Sequence, residues 1–148
     1  MAETTVYFYG PVTSSQDTTT KLTSDLFFSQ LQSTSGYILI DNRNIIWEED
    51  FVNQINQSDT AFFYVEIHKN QENWECTLTI IDSETKKRVS KTEIFDGYYK
   101  ILMEAKNSLQ ELLEDFRNQN PNTTFQNENS SPKTNISLFL INPPLPCI

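Results

Sequence analysis

Between residues 61 and 80 the chain alternates apolar and polar side chains twice over, and this pattern constrains the fold more than any other feature. Ala61, Phe63, Val65 and Ile67 alternate with Phe62, Tyr64, Glu66 and His68. After a polar link over residues 69–73, Trp74, Cys76, Leu78 and Ile80 alternate with Glu75, Thr77 and Thr79. A period of two places successive side chains on opposite sides of a strand, so one face is buried and the other faces water. The link is short and polar, which makes the two strands a hairpin. Residues 82–87 form the next turn. They lead into a third, more polar strand over 88–95, where Lys91 and Glu93 alternate with Thr92 and Ile94, as suits a sheet edge.

Upstream, the period changes. Val6-Tyr7-Phe8-Tyr9, closed by Gly10-Pro11, reads as a short strand. Leu22, Leu26, Phe27 and Leu31 then recur at helical spacing, with Asp17 or Thr18 as the cap and Ser35-Gly36 as the stop. Tyr37-Ile38-Leu39-Ile40-Asp41 is a near-continuous apolar run of strand length, which predicts a strand covered on both faces or central in its sheet. Strand, helix and strand make a crossover unit with parallel strands. Ile46, Phe51, Val52 and Ile55 predict a second, short helix over 43–57, with the acidic run Glu48-Glu49-Asp50 near its start.

The strongest amphipathic pattern covers residues 98–116, where Leu102, Ala105, Leu109, Leu112, Leu113 and Phe116 share one face. It predicts a core helix lying on the sheet. The expected fold is therefore an α/β two-layer sandwich in the order β-α-β-α-β-β-β-α. It has a mixed sheet of about five strands, with the long helices side by side on one face over Val6, Ile38, Ile40, Phe63, Val65, Leu78 and Ile80. This domain spans 1–117. Residues 118–135 are dominated by Asn, Gln, Ser and Thr and read as a linker or loop. Residues 136–148 form an extended tail whose apolar run, Ile136 to Ile141, predicts an added edge strand ended by Pro143, Pro144 and Pro146.

The 148 residues are 37% hydrophobic and 12% aromatic, enough to fold around a core, and carry a formal net charge of −9. That charge repels phosphate backbones, and no run of Lys/Arg offsets it, so no nucleic-acid partner is expected. No stretch approaches the roughly 18 apolar residues of a membrane span. The first five residues show neither the basic nor the apolar region of a signal peptide. There is no phosphate loop, HExxH, Gly-x-Ser-x-Gly or CxxC pattern. His68 is the sole histidine and reads as a solvated strand-end residue, so no catalytic, cofactor or metal residues are assigned and no enzyme is expected. Cys76 falls in the buried alternation, whereas Cys147 lies next to the last residue. Their spacing leaves open whether they pair. The aromatic set Tyr7, Tyr9, Trp47, Tyr98 and Tyr99 is the candidate interaction surface.

The stretch from Lys21 to Leu31, running into Gly36-Tyr37-Ile38-Leu39-Ile40-Asp41-Asn42-Arg43, resembles the helix-then-strand pattern of the TolB amino-terminal domain and of the CsgG and LpoB envelope lipoproteins. Asp59-Thr60-Ala61 and the run from Leu78 through Asp82 and Thr85 to Val89 are similar to that group's next strand, turn and strand. The resemblance covers residues 4–117. It departs from the group where bulky side chains fill the strand at Ala61 to Ile67, which commonly holds a Gly there, and in having no acylated Cys at its start. What it implies is a non-enzymatic periplasmic or outer-membrane-associated interaction or assembly module with an envelope protein as partner. Membrane attachment would come only through a lipid anchor removed ahead of this sequence, with residues 1–3 standing in place of a removed export signal. The alternative is a small-ligand or peptide-binding domain that uses the surface aromatics.

Overall fold

A computed structural model describes residues 3–71 and 73–119. The elements are strands β1 (Thr4–Gly10) and β2 (Val12–Thr13), helix α1 (Thr18–Gln32), strands β3 (Tyr37–Ile46), β4 (Thr60–Lys69), β5 (Trp74–Asp82) and β6 (Arg88–Phe95), and helix α2 (Tyr98–Gln119), with a 3-10 turn over Glu49–Asn53. The sheet runs β3-β1-β4-β5-β6, and β2 continues alongside β4 after the break at Pro11. β1 is parallel to both β3 and β4, while β4, β5 and β6 form the antiparallel meander. The sheet is mixed, and both helices cover one face. That is the two-layer α/β arrangement the periodicities imply.

Each helix has local reasons to start where it does. Asp17 caps α1 as half of a capping box: its carboxylate accepts from Thr20 N–H at 2.9 Å, and Thr20 Oγ1 accepts from Asp17 N–H at 3.2 Å. The helix ends at Gln32, and Gly36 takes the left-handed conformation (φ +94°) that turns the chain into β3. Under α1 and α2, Val6, Phe8, Ala61, Phe63, Val65, Ile67, Cys76, Leu78 and Ile80 meet Phe27, Leu31, Ile101, Ala105, Leu109, Leu112 and Phe116 in the principal core. Phe8 stacks on Phe63 at 4.9 Å and receives the edge of Phe28 at 5.1 Å. Burial pushes the Cys76 thiol up to about 12, so this side chain behaves as a small apolar group.

Three expectations are corrected. β3 is a sheet edge, not a central or doubly covered strand: its Tyr37 and Leu39 pack against the helix-side core, whereas Ile38 and Ile40 point to the opposite face and are exposed. These two isoleucines therefore do not lie under the helices. No helix occupies 43–57 either. β3 itself runs on to Ile46 through an irregularity in its pairing with β1, where Tyr9 faces Asn42 but Gly10 faces Ile46. The chain then crosses the open face of the sheet through the 3-10 turn. Finally, Ala105, Leu109, Leu112, Leu113 and Phe116 of α2 are buried as expected, but Leu102 is exposed and Ile101 is buried at the start of the stripe in its place. The last two residues of α2 are Asn118 and Gln119; the linker and tail expected over the rest of 118–148, and Cys147, lie outside the described residues.

The segment 47–57 builds a second, smaller core. Trp47 stacks on Tyr64 at 4.7 Å with rings nearly parallel (6°), and Tyr9 packs on Phe51 at 5.0 Å. Phe62 and Ile81 lie beneath them. The Lys86 ammonium holds this cover down by donating to the carbonyls of Val52 (2.8 Å) and Ile55 (2.9 Å), and Ser83 Oγ donates to Ile55 O at 2.9 Å.

Candidate functional site

The five aromatics singled out by the sequence separate into two places on opposite sides of the sheet. Tyr9 and Trp47 are buried inside the second core, and Tyr7 lies half-buried at its margin. Tyr98 and Tyr99 open α2 on the helix side, Tyr98 with its ring 6.2 Å from Trp74 and Tyr99 with 81% of its surface exposed.

Polar groups around the second core are mutually satisfied. The Glu49 carboxylate accepts from Trp47 Nε1 at 2.9 Å and from Arg88 Nη2 at 2.5 Å, while Arg88 Nη1 donates to Tyr64 Oη at 3.1 Å. The Arg88 guanidinium holds the Glu49 carboxyl below its ordinary value, and burial raises the Tyr64 phenol. On the helix side, an open groove of about 470 Å³ is lined by Lys21, Asp25, Asp41, Arg43 and Asn44. Its one guanidinium is already engaged: Arg43 reaches Asp41 at 2.7 Å and Asp25 at 3.0 Å while lying 3.7 Å above the Phe28 ring. The hydrogen bonds from Arg43 hold the Asp41 carboxyl at about 2. Lys69 pairs with Asp17, the cap of α1, and lies over the Trp74 ring. His68 is exposed at the end of β4, 3.8 Å from Glu66. Among the described residues no three His, Cys, Asp or Glu side chains converge as metal ligands would. No described helix is long and apolar enough to cross a membrane.

What stands out is apolar surface that water still reaches. On α2, Tyr99, Leu102 and Met103 are 81%, 43% and 77% exposed. Positions three and four apart share a helix face. These three therefore form one stripe on the side turned away from Ile101, Ala105 and Leu109, which are buried. On β3, Ile38 and Ile40 are 48% and 37% exposed beyond the reach of the 47–57 cover. Sequence reasoning found Tyr99 but assigned Leu102 to the core and passed over Met103. The signal was present in the pairing of Tyr99 with Met103 at i and i+4, half a turn from the pairing of Ile101 with Ala105.

No family model matches the chain, and no curated protein matches it. Solved structures do resemble it. TolB from Acinetobacter baumannii superposes with a TM-score of 0.50 at 7% identity over 78% of this chain, and the chain spans 29% of the TolB chain. Lipoprotein GNA1162 from Neisseria meningitidis gives 0.45 at 14% identity, covering 80% of this chain and 96% of its own. The LpoB C-terminal domain from Salmonella enterica gives 0.44 at 8% identity, covering 65% and 84%. With TolB, one of the proteins whose pattern the sequence resembles, the likeness is one of fold.

Proposed function

We propose that this domain is a non-enzymatic interaction or assembly module of the cell envelope, working in the periplasm or at the outer membrane, and that it docks an envelope protein on the first half of α2. The observation that carries this reading is the stripe of Tyr99, Leu102 and Met103, three large apolar side chains held in water on one face of a helix whose other face is anchored in the core. Isolated exposed apolar residues are ordinary, but adjacent ones on a rigid element mark contact surfaces. Met and aromatic residues are the types enriched at the centre of protein interfaces. Each such side chain, once buried, stabilises a complex by about 1.5–3 kcal/mol. The TolB-like fold supports the envelope setting.

The test is photo-crosslinking in cells of the source organism, with a benzophenone side chain at Met103 and, as control, at exposed Glu84 on the β5–β6 turn. A discrete adduct with an envelope protein from position 103, absent from 84 and lost in the Tyr99→Ser/Met103→Ser double variant, is the expected result. Identical products from both positions, or a chain found wholly in the cytosolic fraction, would refute the reading.

A further inference from the structure

The two edges of the sheet are built differently. β6 carries Arg88, Lys91 and Glu93, charges that discourage another strand from pairing there. β3 opens with Tyr37-Ile38-Leu39-Ile40, and from Ser33 through Ile40 the chain holds no charge and no proline, within a sequence of net charge −9. Among the described residues no strand lies on its outer side. Tyr37 and Leu39 reach the rim of the helix-side core, while Ile38 and Ile40 are exposed on the other face. The backbone phase of this edge is fixed by its neighbour. Thr4 N–H donates to Gly36 O at 2.9 Å across the pairing with β1, so even-numbered residues direct their main-chain polar groups inward. Tyr37, Leu39 and Asp41 therefore direct theirs outward. On the helix side, Arg117 Nη1 donates to the Tyr37 hydroxyl at 3.3 Å, which brings a guanidinium to the rim of β3 against a neutral group.

We propose that the first half of β3 pairs with the same segment of a second copy of this chain, antiparallel about a two-fold axis at Leu39, so that two sheets join into one. In this register Leu39 faces the partner's Leu39, Tyr37 faces the partner's Asp41, and Ile38 faces the partner's Ile40. The first two pairs bring together residues whose N–H and C=O both point outward, so they exchange main-chain hydrogen bonds. The third is the closer, non-hydrogen-bonded kind of pair, and it gathers the exposed isoleucines of both copies on the face away from the helices. Charge selects the register. Asp41, with half of its side chain exposed, comes to the rim where the partner's Arg117 lies, and the symmetry makes this contact twice. A slip of two residues one way would set Arg43 against the partner's Arg117, like charge on like. A slip the other way would leave Ile40 opposite the partner's Gly36. An edge this short buries less than about 1,200 Å², the size of weak and reversible contacts, so dimers should form in the micromolar range. This inference is independent of the α2 stripe, which lies on a different element.

Sedimentation equilibrium of the full chain tests it. The wild type should pass from monomer to dimer between about 1 and 500 μM. Ile38→Glu/Ile40→Glu crowds carboxylates of both copies around the axis and should raise the dissociation constant at least about 30-fold, with an unchanged far-UV circular dichroism spectrum as the check on folding. Leu39→Cys in a Cys147→Ser background should cross-link two copies on mild oxidation, because facing residues of a hydrogen-bonded pair stand about 5.5 Å apart, within disulfide reach. A chain that stays monomeric at about 500 μM overturns the proposal without need of a variant. So does a dimer that tolerates Ile38→Glu/Ile40→Glu, or one that is lost in Tyr99→Ser/Met103→Ser, since association then runs through α2.

Discussion

Replacing Leu109 with Ala measures how firmly α2 is seated. Leu109 is 1% exposed on the sheet-facing side of the helix, in the same cluster as Leu31, Ile101 and Leu112. The substitution removes three carbons, worth about 2.4 kcal/mol of transfer free energy at ~0.8 kcal/mol per methylene. A residual void of about 50 Å³ would add a further ~1 kcal/mol at ~24 cal/mol per Å³. Leu109 also borders an open groove between the helices, beside Gln30, Thr34 and Lys106, which lets solvent and neighbours relax into the space and trims that second contribution. The expected loss is therefore about 2.5–3 kcal/mol. Two positions on, Glu111 supplies the contrast. Its carboxylate meets Lys91 Nζ at 2.7 Å, yet its side chain is 59% exposed, and such pairs contribute about 0–1 kcal/mol. In urea melts followed by far-UV circular dichroism, Leu109→Ala should lower the midpoint by about 1–3 M with an unchanged slope, and Glu111→Ala should barely move it. Losses for the two variants that agree within about 0.5 kcal/mol would mean that α2 does not bury this face, and the packing of the principal core would be wrong.

Three further substitutions probe other links. A Cβ on Gly10 would stand 2.6 Å from the backbone carbonyl oxygen of Arg43, so Gly10→Ala must push the irregular stretch of β3 outward, with an expected loss of about 1–3 kcal/mol in the same melts; a neutral outcome would mean that the two strands do not approach so closely. Ser24 is buried on α1 and its hydroxyl has no partner among the described residues, so Ser24→Ala should raise stability by up to about 1 kcal/mol, and a clear loss would reveal a partner to that hydroxyl. Arg43 holds the Asp41 carboxyl at about 2, below the ~3.9 of an unfolded chain. The unfolded state thus binds more protons in this window, and the contribution of Asp41 is complete above about pH 4 and lost as pH falls toward 2. The stability gap between wild type and Asp41→Asn should narrow from pH 5 to pH 2.5, and parallel pH profiles would reject the pairing.

Where a local period decides the outcome, the sequence was readable. The meander from β4 to β6 lies where the alternation puts it, down to the turn at 82–87, because in a strand the side chain's face follows from its position alone. The cap at Asp17 and the left-handed Gly36 are likewise short-range, each depending on a few neighbouring residues. The segment 43–57 failed because its apolar residues fit two geometries. Ile46, Phe51, Val52 and Ile55 are spaced as on a helix, but Phe51, Val52 and Ile55 instead lean from an irregular crossing onto Phe62, Tyr64 and Ile81, residues that approach them only after β4 and β5 have paired. The same non-local step makes Trp47 and Tyr9 core residues rather than surface aromatics.

β3 poses the sharper problem, and it bears on function. A run such as Tyr37-Ile38-Leu39-Ile40 has the composition of a central strand, and composition is identical whether the covering partner is a helix, a neighbouring strand or another molecule. The structure puts this run at an edge, with Ile38 and Ile40 in water on one face. The apolar content that suggested double coverage is then a demand for coverage that the described elements leave unmet. α2 shows the complementary case: Tyr99 and Met103 are apolar on a helix whose core-facing stripe is already complete without them. A residue required for folding and one reserved for contact look alike in a linear pattern. They separate only when the folded domain shows which apolar groups its own core has consumed, and on that test most of the surplus lies on the first half of α2 and along β3, with Leu22 on α1 and Ile94 on β6 standing apart.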